Sequence, residues 1–292
     1  MKRPEKPLTL ARKRVKKNMN IEKLKKNLPG RATFRGVTAI VVFVIIWELG
    51  ARSEELINYR VPFLGLVPPP SGVFVSWGGL IGDPSYWSSW YMSFLRVFGG
   101  FFAAMIIGIP LGLFMAVNKT FYGMAFPSFE VLRPIPPLAW VPASIIFWPT
   151  QELSIAFVTF LGAFYTIVIN VLGGARSINR QYLQAAQSMG ASQWDMFRRI
   201  ILPATLPSIV VGSAVGMGIT WEVVVAAEMI SGGGSDAGGA GGGLGFFIWS
   251  SYVGGSYEQI IVGMISIGIA GYFSSELLRQ MGGYLTPWLK TR

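Results

Sequence analysis

Three ionisable side chains lie inside long apolar stretches of the sequence, where a charge is costly and therefore marks a pathway or a partner. Glu130 and Arg133 share one stretch, and Glu222 lies in the middle of another. The planar guanidinium of Arg133 suits a passing oxyanion. The same side chain can instead form a structural ion pair with Glu130, because residues three apart share one face of a helix. The sequence leaves both interpretations of Arg133 open.

The chain contains neither cysteine nor histidine among its 292 residues. Disulfides, thiolate or imidazole metal sites, and catalysis by either side chain are therefore excluded. The carboxylates lack the spacing of a metal site. A phosphate loop of the form GxxxxGK[ST] is also absent, since Leu113 and Asn118 stand where its glycines would be. We expect no enzyme, no cofactor and no metal, so any ATP hydrolysis must be performed by another chain.

Hydrophobic residues make up 52% of the chain and charged residues 13%, which is more apolar surface than a soluble core can bury. Runs of about 20 apolar residues, the length that crosses a bilayer, predict an all-α polytopic membrane protein with six transmembrane helices. The predicted spans are 36–50, 94–117, 122–148, 153–172, 208–230 and 260–278. Prolines 134, 136, 137 and 142 interrupt the third span.

Thirteen of the 25 Lys and Arg residues lie before residue 40. Nucleic-acid binding is one interpretation of this tail, but a basic run directly ahead of an apolar span is better explained by anionic lipid at the cytoplasmic face. With the N-terminus inside, eight further basic residues fall on the same side, and Arg52, Arg60 and Arg96 fall on the other. We therefore expect a bacterial inner-membrane protein with both termini cytoplasmic, in contact with lipid and not with nucleic acid.

These features divide the chain into four regions. They are a basic cytoplasmic tail at 1–35, a first span with an outer interfacial segment at 36–93, a five-helix core at 94–282 carrying cytoplasmic helices at 174–207, and a cytoplasmic C-terminal tail at 283–292. The glycine-rich stretch 231–245 is expected to be an outer linker.

The interrupted third span and the fifth span together form a candidate translocation pathway. Prolines free backbone carbonyls, which a membrane tolerates only where protein or water surrounds them, although packing between subunits is an alternative. Since a bare carboxylate repels an anion, we expect Glu222 to pair with Arg133 or another polar group, or to stay protonated. Glu228 is expected to act at an outer gate or to hold a backbone donor. The candidates are Glu130, Arg133, Pro134, Pro136, Trp221, Glu222 and Glu228.

The longest predicted inner loop, 174–207, is polar, basic and helix-prone. Its pattern predicts a helix that Gly190 breaks and a second short helix that starts at Ser192. The second helix carries Trp194 and Phe197 on one face. A helix–glycine–helix of this kind, parallel to the membrane, presents a ridge to a cytosolic partner.

The stretch QAAQSMGASQWDMFRRIILP at 184–203 resembles the EAA signature of ABC importer permeases, with Gln184 where the signature usually has Glu. Three further stretches, SFLRVFGGFFAAMIIGIPLGLFMA, VLRPIPPLAWVPASIIFW and WEVVVAAEMISGGG, are similar to the permeases of the nitrate, sulfonate, taurine and bicarbonate group. The resemblance implies coupling helices that dock on an ATP-hydrolysing subunit. The implied coupling residues are Gln184, Ala185, Ala186, Gly190, Ala191, Phe197, Leu202 and Pro203.

The resemblance further implies a type I, MetI-like permease that forms a dimer, most simply a homodimer, and receives cargo from a periplasmic or lipoprotein binding protein. The cargo would be nitrate, bicarbonate, a sulfonate, taurine or cyanate, moved by alternating access. The alternative is an autonomous secondary transporter or channel for small anions. That alternative requires an inverted repeat and coupling carboxylates near the bilayer midplane, for which Glu222 alone is thin support.

Overall fold

The computed structural model describes residues 31–231 and 242–289, and every element in these two ranges is a helix. Most of the predicted basic tail, most of the glycine-rich linker and residues 290–292 lie outside the described residues. The chain divides into two compact units, Met1–Gly72 and Val73–Arg292.

The first unit is built on one apolar helix, α1 (Arg31–Ala51). It contains the candidate membrane span Phe34–Ala51, which is not buried within the chain, so the first predicted span is confirmed. Polar contacts fix its end, because Arg52 Nε pairs with Glu48 at 2.7 Å and Glu48 accepts a hydrogen bond from the backbone N–H of Ser71 at 3.0 Å. The short helix α2 (Ser53–Ile57) and a 3₁₀ turn (Leu64–Leu66) follow.

Long helices alternate with short ones through the second unit. They are α3 (Pro70–Leu80), which begins at the unit boundary, α4 (Pro84–Val117), α5 (Lys119–Leu132), α6 (Val141–Phe147), α7 (Gln151–Arg176), α8 (Arg180–Ser188), α9 (Gln193–Met196), α10 (Leu202–Ser231), α11 (Gly243–Val253) and α12 (Tyr257–Leu285). The fourth, fifth and sixth predicted spans are confirmed as α7, α10 and α12.

The core of the second unit lies where α7 packs between α4 and α10. Glycines allow these backbones to approach closely, as small residues commonly do between membrane helices. A Cβ on Gly112 would lie 2.9 Å from the Val168 carbonyl oxygen, and one on Gly212 would lie 2.6 Å from the Asn170 Cβ. Gly112 of the second predicted span and Gly212 of the fifth therefore pack against α7 within the chain.

The third predicted span is wrong as a single crossing. α5 ends at Leu132, a 3₁₀ turn covers Pro137–Trp140, and α6 is too short to cross a bilayer. The reason is that the prolines at 134, 136 and 137 lack N–H donors and crowd the preceding turn. The described residues hold five helices that are long and apolar enough to span a membrane instead of six.

Two features near the start of α4 and of α11 also differ from prediction. α4 begins at Pro84 and not at 94, because Asp83 accepts a hydrogen bond from the Ser85 N–H at 2.8 Å and proline favours the first helical position. The predicted interfacial segment 52–93 therefore includes α3 and the first turns of α4. α11 was not predicted, since its glycine-rich start was assigned to the linker.

The adjacent glycines of α4 provide a test of the helix packing. A Cβ on Gly100 would collide with Thr159 Oγ1 and lie 2.8 Å from the backbone nitrogen of Phe160, whereas Gly99 has open space around it. We expect Gly100→Ala to lower the unfolding free energy in detergent by about 1–3 kcal/mol through overpacking. Gly99→Ala, with the same gain in helix propensity, is the control and should not destabilise. Equal effects of the two substitutions would contradict the packing.

Candidate functional site

The segment 180–196, called the elbow below, consists of two helices joined by a tight turn at Gly190. Gly190 has φ +81°, and its N–H donates to the Gln187 carbonyl while that of Ala191 donates to the Ala186 carbonyl. This is the double hydrogen bond of a Schellman motif, in which a residue with positive φ ends the helix. Ser192 then caps α9 by accepting from the Asp195 N–H at 3.1 Å. The predicted helix–glycine–helix is confirmed.

The elbow combines a polar sequence with exposed large apolar side chains. Tyr182, Met189 and Trp194 are 67%, 82% and 67% exposed. Among the implied coupling residues, Gln184 and Ala185 are exposed, Ala186 is buried, and Phe197 and Leu202 pack against the core. Sequence reasoning noted Trp194 but missed Tyr182 and Met189, whose only signal is a bulky apolar side chain in a hydrophilic helix. Such a surface fits a protein partner.

Helical structure continues from the elbow into the membrane. A π-helical turn, Phe197–Ile201, joins α9 to α10, so the candidate span extends over Gln193–Ile230. The rings of Trp194 and Phe197 stack with centroids 5.6 Å apart. The second helix of the elbow and α10 therefore form one continuous helical run.

A second polar site lies at the other end of α10. Arg96 of α4 and Glu228 of α10, with side chains 4% and 0% exposed, pair at 3.0 Å. Arg96 Nε also donates to Glu152 of α7 at 2.9 Å, and Ser93 Oγ donates to Glu228 at 2.9 Å. These four residues, Ser93, Arg96, Glu152 and Glu228, form the Arg96 cluster. It joins three membrane helices by charged hydrogen bonds, with Arg96 and Glu228 buried and the Glu152 side chain 56% exposed.

The N-terminus of α11 completes the Arg96 cluster. Glu228 accepts from the Gly245 N–H at 2.9 Å, Ser93 Oγ accepts from the Leu244 N–H at 2.8 Å, and Arg96 donates to the Gly242 carbonyl at 3.3 Å. The close approach requires glycine, because a Cβ on Gly243, which has φ +77°, would collide with the Glu228 carboxylate. A carboxylate at a helix N-terminus is favourable because the unpaired N–H groups there carry partial positive charge.

The predicted pathway residues separate into exposed and buried groups. Glu130, Arg133, Pro134 and Pro136 are exposed, as is Glu222, whereas Trp221 and Glu228 are buried. The Trp221 indole N–H donates to Ser274 Oγ at 3.1 Å.

Of the alternatives expected for Glu222, pairing with Arg133 is not found among the described residues. Arg133 pairs with Glu130 at 3.7 Å on its own helix, as the structural interpretation of Arg133 predicted. Glu222 makes no hydrogen bond or ion pair with any residue in the described ranges. The i,i+3 spacing places Glu130 and Arg133 on one face of the same helical segment, so their pair is local.

The functional residues that sequence reasoning missed are Ser93, Arg96 and Glu152. Arg96 was counted only as an outer basic residue, although an arginine and a glutamate in separate apolar helices is itself a signal for a buried pair. Within the described residues no cluster of carboxylates could hold a metal ion.

The buried pair predicts a large asymmetry between two arginine substitutions. Arg96→Met leaves the Glu228 carboxylate buried without a cation, and we expect it to lower the unfolding free energy by about 3–5 kcal/mol. Arg133→Met, at a half-exposed pair, should cost less than about 1 kcal/mol. Adding Glu228→Gln to Arg96→Met should recover part of the loss in denaturant unfolding of detergent-solubilised protein. A double variant less stable than Arg96→Met would contradict the assigned pairing.

Comparison with known proteins agrees with this architecture. Residues 108–291 match the family described as binding-protein-dependent transport system inner membrane component. The nitrate import permease protein NrtB of Leptolyngbya laminosa is 34% identical over 272 residues, covering 89% of this chain and 91% of that protein. The taurine transport system permease protein TauC of Escherichia coli (strain K12) is 30% identical over 280 residues, covering 94% and 97%.

A solved structure has a similar fold. The structure of the MetNI methionine ABC transporter in inward-facing conformations aligns with a TM-score of 0.52 and 23% identity, covering 68% of this chain and 94% of that chain. At this identity the likeness shows the fold alone. The family match and the two relatives establish that the chain belongs to the binding-protein-dependent transport system inner membrane components, the multi-pass permease subunits of ABC importers.

Proposed function

We propose that the chain is the membrane-spanning subunit of an ATP-driven importer that moves a small anion across the inner membrane by alternating access. The proposed cargo is nitrate, bicarbonate, a sulfonate, taurine or cyanate. Similarity over about nine tenths of the chain to permeases named for nitrate and for taurine supports this class. The proposed orientation has both termini and the elbow in the cytoplasm, supported by the bias of basic residues.

The observation that carries the proposal is the geometry of the elbow. Tyr182, Met189 and Trp194 are exposed on a polar segment, and large apolar side chains of this kind anchor protein interfaces when a partner covers them. The proposed partner is the ATP-hydrolysing subunit, one for each of two permease copies in a homodimer. A periplasmic or lipoprotein binding protein delivers cargo on the opposite side, and lipid surrounds the spans.

Alternating access requires the elbow to move the membrane helices. The continuous helix through Phe197–Ile201 into α10 gives a mechanical route, since a helix transmits displacement along its axis with little bending. A π-helical turn inside a helix often marks a functional position. ATP-driven closure of the partner subunits would act at the elbow and shift α10 against α4 and α7.

The proposed pathway lies along α10 and the interrupted segment after α5. The exposure of Arg133, Pro134, Pro136 and Glu222 supports this position, because polar groups and free carbonyls at membrane depth need water or protein beside them. Glu130 accompanies Arg133 as its ion-pair partner. Trp221 and Glu228 are buried, so their proposed role is to hold the pathway helices in place and not to contact cargo.

The turn of the elbow gives the first test of coupling. Gly190→Asp and Ala186→Asp are expected to abolish transport and transport-stimulated ATP hydrolysis while leaving membrane insertion intact. Gly255→Asp is the matched control, since Gly255 also has positive φ, +70°, and open space around it. Activity should be measured in reconstituted importer with the ATPase and binding protein. Wild-type uptake in the Gly190 variant, or equal loss in the control, would refute coupling through the elbow.

The exposed ridge gives a second, independent test. Trp194→Ala is expected to weaken association with the ATPase subunit about tenfold to a hundredfold, as truncation of an aromatic anchor typically does. Co-purification at graded detergent and salt, or titration of labelled ATPase, would measure it. Trp249→Ala, at a 43% exposed tryptophan on α11, should leave the affinity unchanged. An unchanged affinity for the Trp194 variant would count against the ridge as the docking surface.

A further inference from the structure

An open apolar groove lies between the last turns of α4 and the start of α10. Its volume is about 600 Å³, and every residue that lines it is apolar. Phe197 and Leu202 line it at the junction with α10. Four exposed residues of α4 line it as well, at spacings of three, four and three, which places them on one side of the helix. They are Ile107, Pro110, Phe114 and Val117.

The groove has the depth of one leaflet of a bilayer. Ile107 and Val117 are ten residues apart in the sequence, which is about 15 Å along the axis of α4. This distance is half of the ~30 Å hydrocarbon layer. Val117 is the last residue of α4, and Phe197 directly follows the elbow, so both mark the shallow end of the groove. The groove therefore matches in length a lipid acyl chain of the leaflet on the elbow side.

Two uncompensated cations lie at the shallow end. Lys119 comes two residues after the end of α4, and Arg198 is the second residue of the π-helical turn. Both are exposed, and neither has an ion-pair partner within the described part of the chain. Arg199 differs, because it pairs with Asp195 at 3.6 Å. Long basic side chains at this level can extend along apolar surface to the headgroup layer.

This combination of an apolar groove and cations at one end selects among occupants. A small anionic cargo does not fit, since apolar walls leave its hydrogen-bonding groups without partners. A helix of a second copy would have to supply a carboxylate level with both cations. A phospholipid carries its phosphate at the headgroup level, directly next to its acyl chains. Basic pockets between membrane helices on the cytoplasmic side bind anionic headgroups in this way.

We propose that the groove binds one anionic phospholipid, with an acyl chain along α4 and the phosphate held by Lys119 and Arg198. In the proposed orientation the lipid belongs to the cytoplasmic leaflet, whose surface is rich in anionic headgroups. Because Phe197 lies in the turn that joins the elbow to α10, the bound lipid contacts α4 and this junction together. The inference rests on the membrane-spanning fold and is independent of the cargo.

The charge requirement is tested with the full-length chain and two lipids that have identical acyl chains, phosphatidylglycerol and phosphatidylcholine. Each lipid is titrated into the delipidated chain in detergent, and bound lipid is counted by native mass spectrometry. We expect tighter binding of phosphatidylglycerol. Lys119→Gln and Arg198→Gln should each weaken it about fivefold, the contribution of one cation near an anionic headgroup. Arg279→Gln, at an exposed cation of α12 that pairs with Glu276, is the control and should not.

Two neighbouring isoleucines test the acyl-chain site. Ile107→Trp places an indole in the groove and should remove the bound lipid, whichever headgroup it carries. Ile106→Trp is the matched control, because Ile106 is 72% exposed on the same turn and does not line the groove. It should leave lipid binding unchanged.

The outcomes separate the lipid from other occupants. Equal affinity for the two lipids, or unchanged phosphatidylglycerol binding in both charge variants, would overturn the inference. Displacement by inorganic phosphate would show a site for free phosphate instead. Since the chain has no cysteine, Ile107→Cys can be labelled with a photoreactive maleimide in vesicles of phosphatidylglycerol. We expect crosslinks to lipid, and crosslinks to a second copy would assign the groove to a contact between permeases.

Discussion

A charged group inside an apolar membrane layer must be neutralised by a partner or be in contact with water, and this constraint organises the second unit of the chain. Arg96 and Glu228 satisfy it by pairing, with Ser93, Glu152 and the first N–H groups of α11 taking up the remaining hydrogen bonds. Each isolated charge would be costly, and together they tie three helices at one level. Glu222, on the same helix as Glu228, is exposed and has no hydrogen-bond or ion-pair partner within the described residues.

α10 connects the elbow with the Arg96 cluster. At one end its helical structure is continuous with the elbow, and at the other Glu228 joins it to α4 and α11. Between them Trp221 packs inward, edge-on to Phe94 with centroids 5.1 Å apart, and the next residue, Glu222, faces outward. α10 therefore has a buried side, held by these contacts, and an exposed side that carries Glu222.

Much of the fold could be predicted from sequence because hydrophobic runs and capping residues act locally. The break at Gly190 and the cap at Ser192 follow from backbone rules that need no tertiary context. The third predicted span is wrong because its run of apolar residues was given more weight than the three closely spaced prolines at 134, 136 and 137, which together prevent a continuous helix. α11 was missed because glycine was interpreted as linker composition, whereas Gly243 and Gly245 are there so that the backbone can approach Glu228 and Val225.

The candidate site was harder to predict, since its pairings join residues far apart in the chain. Arg96 and Glu228 are separated by 132 positions, and nothing in either local sequence selects the other. Arg133, by contrast, pairs with Glu130, three residues before it in the sequence. Because residues three apart share one face of a helix, this pairing could be predicted from the sequence, whereas the pairings of the Arg96 cluster could not.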